Sequence, residues 1–183
     1  MKFVFNEEKA AEAAAFLLER AGGSMPYIRL IKLLYLADRQ SLIETGQPIV
    51  GDQAVSMDHG PVLSVVYDLI KGSRQSRLWP RFVTRDGYDV RLQQPPPRDG
   101  ALSDYELDVL AAVFARYRDT DTWALIDRMH DELPEWVDPE GSSTPIAPET
   151  ILRAAGKTEE EIQWIAEEAD RSIAEQRIFE RMP

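Results

Sequence analysis

Residues 26–62 read PYIRLIKLLYLADRQSLIETGQPIVGDQAVSMDHGPV, and this stretch decides the fold. Between residues 27 and 37 only Arg29 and Lys32 interrupt a run of apolar residues. A surface helix keeps one polar face, whereas a run that is apolar nearly all round predicts a helix buried on several sides. The run is too long for one strand, and leucine dominates over β-branched residues. We therefore predict a central helix over residues 26–44, against which the other helices pack.

Capping and turn residues indicate where the other elements begin and end. Good N-cap residues or prolines begin helices, and glycines end them. Ser24 is the candidate N-cap of the central helix, and Gly46 lies in the segment that ends it. An Asp-Gly step at residues 86–87 separates two β-prone alternating segments, which is a strong hairpin signal. Further helices are predicted to begin at or just after Asn6, Pro61, Ser103, Thr120, Pro148 and Thr158.

Together these elements predict a mainly α (α+β) fold. We expect five to seven helices in a compact domain around the buried central helix, with one small antiparallel β-hairpin at residues 82–92. The predicted division of the chain is a helical domain over residues 1–140, followed by a linker and a C-terminal helical extension over residues 141–183. Residues 138–148 are rich in Gly, Ser, Thr and Pro, which is typical of a linker. The extension is expected to pack on the domain or on a partner.

The composition describes an acidic, cysteine-free chain. Its 183 residues include 32 Asp and Glu against 21 Lys and Arg, for a formal net charge of −11. This excess argues against generic nucleic-acid binding, which depends on basic residues that neutralise phosphates. Without cysteine there is neither a disulfide nor a thiolate metal site. No apolar run reaches the roughly 20 residues that span a bilayer, and acids interrupt the N-terminal segment where a signal peptide is apolar. We expect a cytoplasmic protein.

Three segments resemble a known family. Residues 32–52 read KLLYLADRQSLIETGQPIVGD, residues 59–70 read HGPVLSVVYDLI, and residues 123–136 read WALIDRMHDELPEW. Their order and spacing resemble the Panacea-domain family, the SocA-like antitoxins. In that family a Lys-Leu-Leu-Tyr-like helix is followed by a Gly-x-Pro-Ile turn, a Gly-Pro-Val, a Tyr, and a later His and Trp. The matching residues here are 32–35, 46–49, 60–62, Tyr67, His130 and Trp136.

The resemblance implies an antitoxin that neutralises its cognate toxin by direct protein–protein binding. In the SocA-like branch the antitoxin is also a proteolytic adaptor that presents its toxin to the protease ClpXP. Such a mechanism needs an interface and no catalytic residue, no metal and no cofactor. The alternative within the same family is a prophage-associated interaction module that has no cognate toxin.

The two histidines are the residues on which an enzymatic alternative depends. His59 lies in a turn next to Gly60, and His130 lies near the end of a predicted helix. Hydrolysis would require both imidazoles to converge with carboxylates in one cleft. The sequence has no His-Glu-x-x-His pattern, phosphate-binding loop or Gly-x-Ser-x-Gly elbow. We therefore predict that the chain is not an enzyme and that the histidines have structural roles at a turn and a helix end.

The least expected feature in so acidic a chain is a basic cluster that alternates with aromatic residues over residues 71–91. Arg and Trp are enriched at interface hot spots, and basic-plus-aromatic surfaces also bind nucleic acid. In the structural alternative the aromatics enter the core and the arginines solvate the hairpin edge. The cluster consists of Lys71, Arg74, Arg77, Arg81, Arg85 and Arg91, with Trp79, Phe82 and Tyr88 between them.

We predict that a protein partner contacts this cluster and the surroundings of the turn at residues 58–61. Nucleic acid is not the expected partner. The predicted partner-binding residues are Tyr35, Asp38, His59, Arg77, Trp79, Arg81 and Arg85.

Overall fold

The computed structural model describes residues 1–179, and side chains up to residue 175. Over this range the chain forms eight helices and two three-stranded antiparallel sheets, which confirms the mainly α (α+β) fold class but exceeds the five to seven helices and the single hairpin that were expected. The helices are α1 (Glu7–Arg20), α2 (Tyr27–Thr45), α3 (Ser64–Lys71), α4 (Trp79–Phe82), α5 (Asp104–Tyr117), α6 (Thr122–Glu132), α7 (Pro148–Ala154) and α8 (Glu159–Phe179). The strands are β1 (Ser24–Pro26), β2 (Ala54–Ser56), β3 (Val62–Leu63), β4 (Val83–Asp86), β5 (Asp89–Leu92) and β6 (Thr144–Pro145).

Helix α2 is the predicted central helix. Twelve of its 19 residues are buried, and it packs against α1, α5, α6 and α7. Helix α1 packs against α2, α4 and α5, and its buried residues include the small side chains of Ala10, Ala13 and Ala14. Gly46 ends α2 in the left-handed conformation at φ 78°, which favours glycine.

One predicted N-cap and one predicted helix start are wrong. Ser24 does not cap α2, because residues Ser24–Pro26 form β1 and pair with β5 instead. The helix predicted from Pro61 begins at Ser64, after β3 has paired with β2. In both places backbone N–H and C=O groups that an earlier helical turn would have used are hydrogen-bonded to a neighbouring strand instead. The N-cap Asn6 and the capping boxes at Ser103 and Thr158 are confirmed by their side-chain hydrogen bonds.

The predicted hairpin is β4–β5, and it is part of a larger sheet in the order β1-β5-β4. The second sheet has the order β3-β2-β6. Its strand β6 joins residues beyond 140 to the body of the protein, with Val55 opposite Pro145. Helix α8 buries Ile162, Ile165 and Ala169. The boundary at residue 140 stays a prediction. Within residues 1–179, no helix combines the length and the hydropathy required to cross a bilayer.

Candidate functional site

The seven predicted partner-binding residues fall into two groups in the structure. Tyr35 and Asp38 lie on the buried side of α2, and His59 lies in the exposed turn before β3. The other four residues belong to the segment from the end of α3 to β4. In this structure Tyr35, Asp38 and Trp79 are buried, so each offers a partner only a small part of its side chain at the wall of a concavity. His59, Arg77, Arg81 and Arg85 are exposed.

Polar side chains of α2 hold three loops of the protein in place. Lys32, Tyr35 and Asp38 are three residues apart, so they lie along one side of the helix. The Lys32 ammonium donates to the Pro61 carbonyl at 2.9 Å, and the backbone N–H of Val50 donates to Asp38 Oδ1 at 2.6 Å. Tyr35 reaches the segment after α6. The three family-like segments are therefore joined through buried hydrogen bonds to one helix.

The contact of Tyr35 is with Glu135. The phenol donates to Glu135 Oε1 at 2.8 Å, while Arg39 donates to both oxygens of the same carboxylate. The side chain of Glu135 has no exposed surface. Burial, followed by the neighbouring carboxylate, raises the pKa of Tyr35 well above its ordinary value, so the phenol remains a proton donor. This network fixes the position of residues 133–136 against α2.

A second buried cluster lies under the exposed turn. Lys32 is 1% exposed, and burial lowers the pKa of its ammonium to about 7. Gly60 adopts φ 87°, and a Cβ there would lie 3.3 Å from Lys32 Nζ and 3.4 Å from His130 Nε2. The His130 Nε2 atom is buried and has no hydrogen-bond partner among the described residues. Burial, then the nearby Lys32, lower the pKa of His130. The positive φ favours glycine at this turn, and a larger residue would bring its Cβ into tight contact with the Lys32 ammonium.

His59 and Trp123 form what we call the turn surface. Their rings meet edge to face, with centroids 5.5 Å apart, and Trp123 is 55% exposed. His130, by contrast, stacks on Trp136 at 4.0 Å, and Trp136 Nε1 donates to the carbonyl of Met57. The two histidines thus differ in environment, since His59 faces solvent while Nε2 of His130 is buried. Among the described residues no cluster of three or more His, Asp or Glu could hold a metal ion.

The basic cluster lines two adjoining depressions that we call the basic groove. Leu69, Gly72, Trp79 and Pro80 line both depressions, which have volumes of about 510 and 290 Å³. The larger one is also lined by Arg74 and Arg77, and the smaller one by Lys71 and Arg85. Arg81 is exposed on α4 beside them. Trp79 therefore contributes to the floor of the groove although it is only 4% exposed.

A third concavity of about 310 Å³ lies over α2. Its walls include Tyr35, Asp38 and Asp52, and residues 1–3 and 146–151 contribute to its rim. Burial raises the pKa of Asp38 to about 7, against the opposing effect of the Val50 N–H. Asp52 accepts hydrogen bonds from Gln53 and from Val66 near the start of α3. Both carboxyl groups thus have backbone partners and serve to hold loops.

Sequence reasoning missed several residues on which these sites depend. Arg39 and Glu135 were not among the predicted residues, nor was Trp123. Lys32 gave a usable signal, because a charge surrounded by apolar residues in a buried helix needs a polar partner. The hydrogen bond between Tyr35 and Glu135 left no signal in the sequence, since no local pattern relates positions so far apart.

One of three comparisons with known proteins gives a match. Residues 30–137 match the family described as Antitoxin SocA-like, Panacea domain. The match includes α2 from residue 30 onward, the turn at residues 58–61 and the segment containing Glu135 and Trp136. No curated protein and no solved structure matches the chain. Because the match spans more than half of the sequence, the chain belongs to the SocA-like antitoxin family, and this membership supports an antitoxin-type function acting on a protein partner.

Proposed function

We propose that the chain neutralises a cognate protein toxin by binding it directly. The observation that carries the proposal, beside the family membership, is the turn surface. Here a large aromatic side chain, Trp123, is left 55% exposed in contact with His59. Tryptophan is the residue type most typical of interface hot spots, and its burial by a partner would be strongly favourable.

The buried contacts beneath the turn surface are suited to binding. Lys32 holds the Pro61 carbonyl, and the stacked pair His130 and Trp136 supports the other side of the turn through Met57. A surface that is already ordered loses less conformational entropy when a partner binds. The proposed mechanism is occlusion of the toxin by this preformed surface, without a chemical step.

A further part of the proposal is delivery of the bound toxin to the protease ClpXP. This part is supported by the three segments at residues 32–52, 59–70 and 123–136, which resemble the SocA-like antitoxins. In the SocA-like branch the antitoxin is a proteolytic adaptor. An adaptor must hold its cargo and contact the protease at the same time, so it requires two separate surfaces. The chain has two candidates built from different residues, the turn surface and the basic groove.

The proposal is tested by co-expressing the chain with the protein encoded beside it. Neutralisation predicts that the neighbour alone arrests growth, that the chain restores growth, and that the two proteins co-purify. Repeating the experiment in cells without ClpX separates the two mechanisms. Loss of toxin only in the presence of ClpXP indicates an adaptor, whereas equal toxin levels and equal rescue in both strains indicate inhibition by binding alone.

Paired variants locate the interface. His59→Ala with Trp123→Ala should abolish co-purification and rescue. Trp164→Ala is the matched control, because Trp164 is 61% exposed on α8 and lies outside the turn surface. Equal rescue by both variants would exclude the turn surface as the toxin-binding site. If no neighbour is toxic and none binds, the chain is instead an interaction module of the prophage-associated kind.

A further inference from the structure

The basic groove gathers several arginines that have no carboxylate partner among the described residues. The described residues form ten ion pairs within 4.0 Å, yet none of them includes Arg74, Arg77, Arg81 or Arg85. Carboxylates outnumber basic residues in the chain by 32 to 21, so unpaired arginines are not explained by a shortage of acids. The nearby carboxylate of Glu7 is hydrogen-bonded to Ser76 instead.

The shape of the groove indicates what it can bind. Its floor is apolar, formed by Leu69, Trp79 and Pro80, and its rim carries the exposed arginines. The planar guanidinium group binds carboxylates through two parallel hydrogen bonds. A ligand that fits must therefore combine carboxylates with an apolar side chain between them.

Nucleic acid fits this surface less well. Single-stranded nucleic acid binds by stacking its bases on exposed aromatic rings. Two of the three aromatics in the cluster, Trp79 and Phe82, are 4% and 5% exposed, so their faces are not accessible. The third, Tyr88, packs edge to face on Tyr27 with centroids 5.1 Å apart but is 49% exposed, so the cluster offers one accessible ring and not the row of rings on which successive bases stack.

We propose that the basic groove is a docking site for an acidic segment of a protein partner. Carboxylates of the segment pair with Arg74, Arg77 and Arg85, and an apolar side chain enters the depression beside Trp79. Charge complementarity selects this occupant, because the arginines have no carboxylate partner within the described residues. The groove uses none of the residues of the turn surface, so the inference holds whether or not the turn surface binds a toxin.

A random twelve-residue peptide library displayed on phage tests the inference on the intact chain. We expect selection to enrich peptides that contain several Asp or Glu residues around an apolar residue. Synthetic copies should bind the chain, and the triple variant Arg74→Glu, Arg77→Glu, Arg85→Glu should bind them about tenfold more weakly for each reversed charge. A second triple variant with Gln at the same positions, which removes the charge without adding acids, should lose binding in the same direction.

The matched control reverses Arg98, Arg116 and Arg118, which are exposed and produce the same change in net charge. It should bind the selected peptides like the wild-type chain. Enrichment of peptides without an acidic excess would overturn the inference, as would equal binding by the groove and control variants. Titration with a twenty-nucleotide single strand provides the competing outcome: groove-dependent binding of the oligonucleotide without binding of acidic peptides would assign the groove to nucleic acid.

Discussion

Tyr35 and Glu135 are joined by a buried hydrogen bond of 2.8 Å although 100 residues separate them in the chain. The same carboxylate accepts two hydrogen bonds from Arg39, so one acid satisfies a phenol and a guanidinium. We expect Tyr35→Phe to lower the free energy of unfolding by about 1 kcal/mol. Glu135→Ala should cost more, about 3–5 kcal/mol, because it leaves the largely buried Arg39 charge without its partner. Urea unfolding measures both.

The control for this network is Tyr105→Phe. Tyr105 also donates to a carboxylate, Glu44, at 2.7 Å, but it does so at the surface, where the loss should stay within about 0.5 kcal/mol. In a double-mutant cycle, Tyr35→Phe should have little further effect once Glu135 is Ala. Additive losses in the cycle would show that the two side chains do not stabilise the fold through each other.

The buried ammonium of Lys32 should make stability depend on pH. Its pKa is about 7 in the folded chain and 10.5 ordinarily, so between these values the unfolded chain holds a proton that the folded chain has lost. The free energy of unfolding contributed by Lys32 therefore rises with pH across this window, with a slope of up to roughly 1.4 kcal/mol per pH unit. Below pH 7 both states are protonated and the full cost of burying the charge remains.

Lys32→Met keeps the length of the side chain and removes the charge. The free energy of unfolding of this variant should exceed that of the wild-type chain by the largest amount at or below pH 7. This difference should shrink as the pH rises towards 10. Urea unfolding of both proteins from pH 6.5 to pH 10 measures this difference in the free energy of unfolding. The contributions of the other titrating groups cancel because both proteins contain them. If the free energies of unfolding of the two proteins changed with pH in parallel, burial of the Lys32 ammonium would not destabilise the folded chain.

For Asp38 we expect the free energy of unfolding to change with pH in the opposite direction, and at lower pH. Burial raises its pKa from 3.8 to about 7, so between these values the folded chain keeps a proton that the unfolded chain has released. The stability contributed by Asp38 should therefore fall as the pH rises through this window. Asp38→Asn keeps an acceptor for the Val50 N–H and cannot ionise. Its stability relative to the wild-type chain should rise between pH 4 and pH 7, and a constant difference would contradict the assignment.

Much of the fold could be predicted from the sequence because its signals are local. The central helix follows from an apolar run, its end from Gly46, and the β4–β5 hairpin from Asp86 and Gly87, each read within a few residues. Strand β1 could not be predicted. It is three residues long and exists because Met25 lies opposite Val90 in the sheet, and no local pattern records such a pairing.

The site could be predicted only in part for the same reason. A charge such as Arg77 on a short exposed segment can be recognised from the sequence as a candidate contact. Tyr35 and Asp38 are different, because their polar groups are equally suited to a surface and to a buried network. Their role is decided by Glu135 and Val50, which reach them only after the chain has folded.

Leu34 tests how far the protein depends on α2. Its side chain is 1% exposed in the centre of the helix, so Leu34→Ala should leave a cavity and lower the free energy of unfolding by about 2–5 kcal/mol. Ile43→Ala is the matched control, since Ile43 is only partly buried near the end of the same helix and should cost less. Both changes remove apolar carbon atoms, so their difference isolates burial from side-chain chemistry. Equal losses in urea unfolding would mean that the centre of α2 packs no more tightly than its end, and that the stability of the protein resides in another helix.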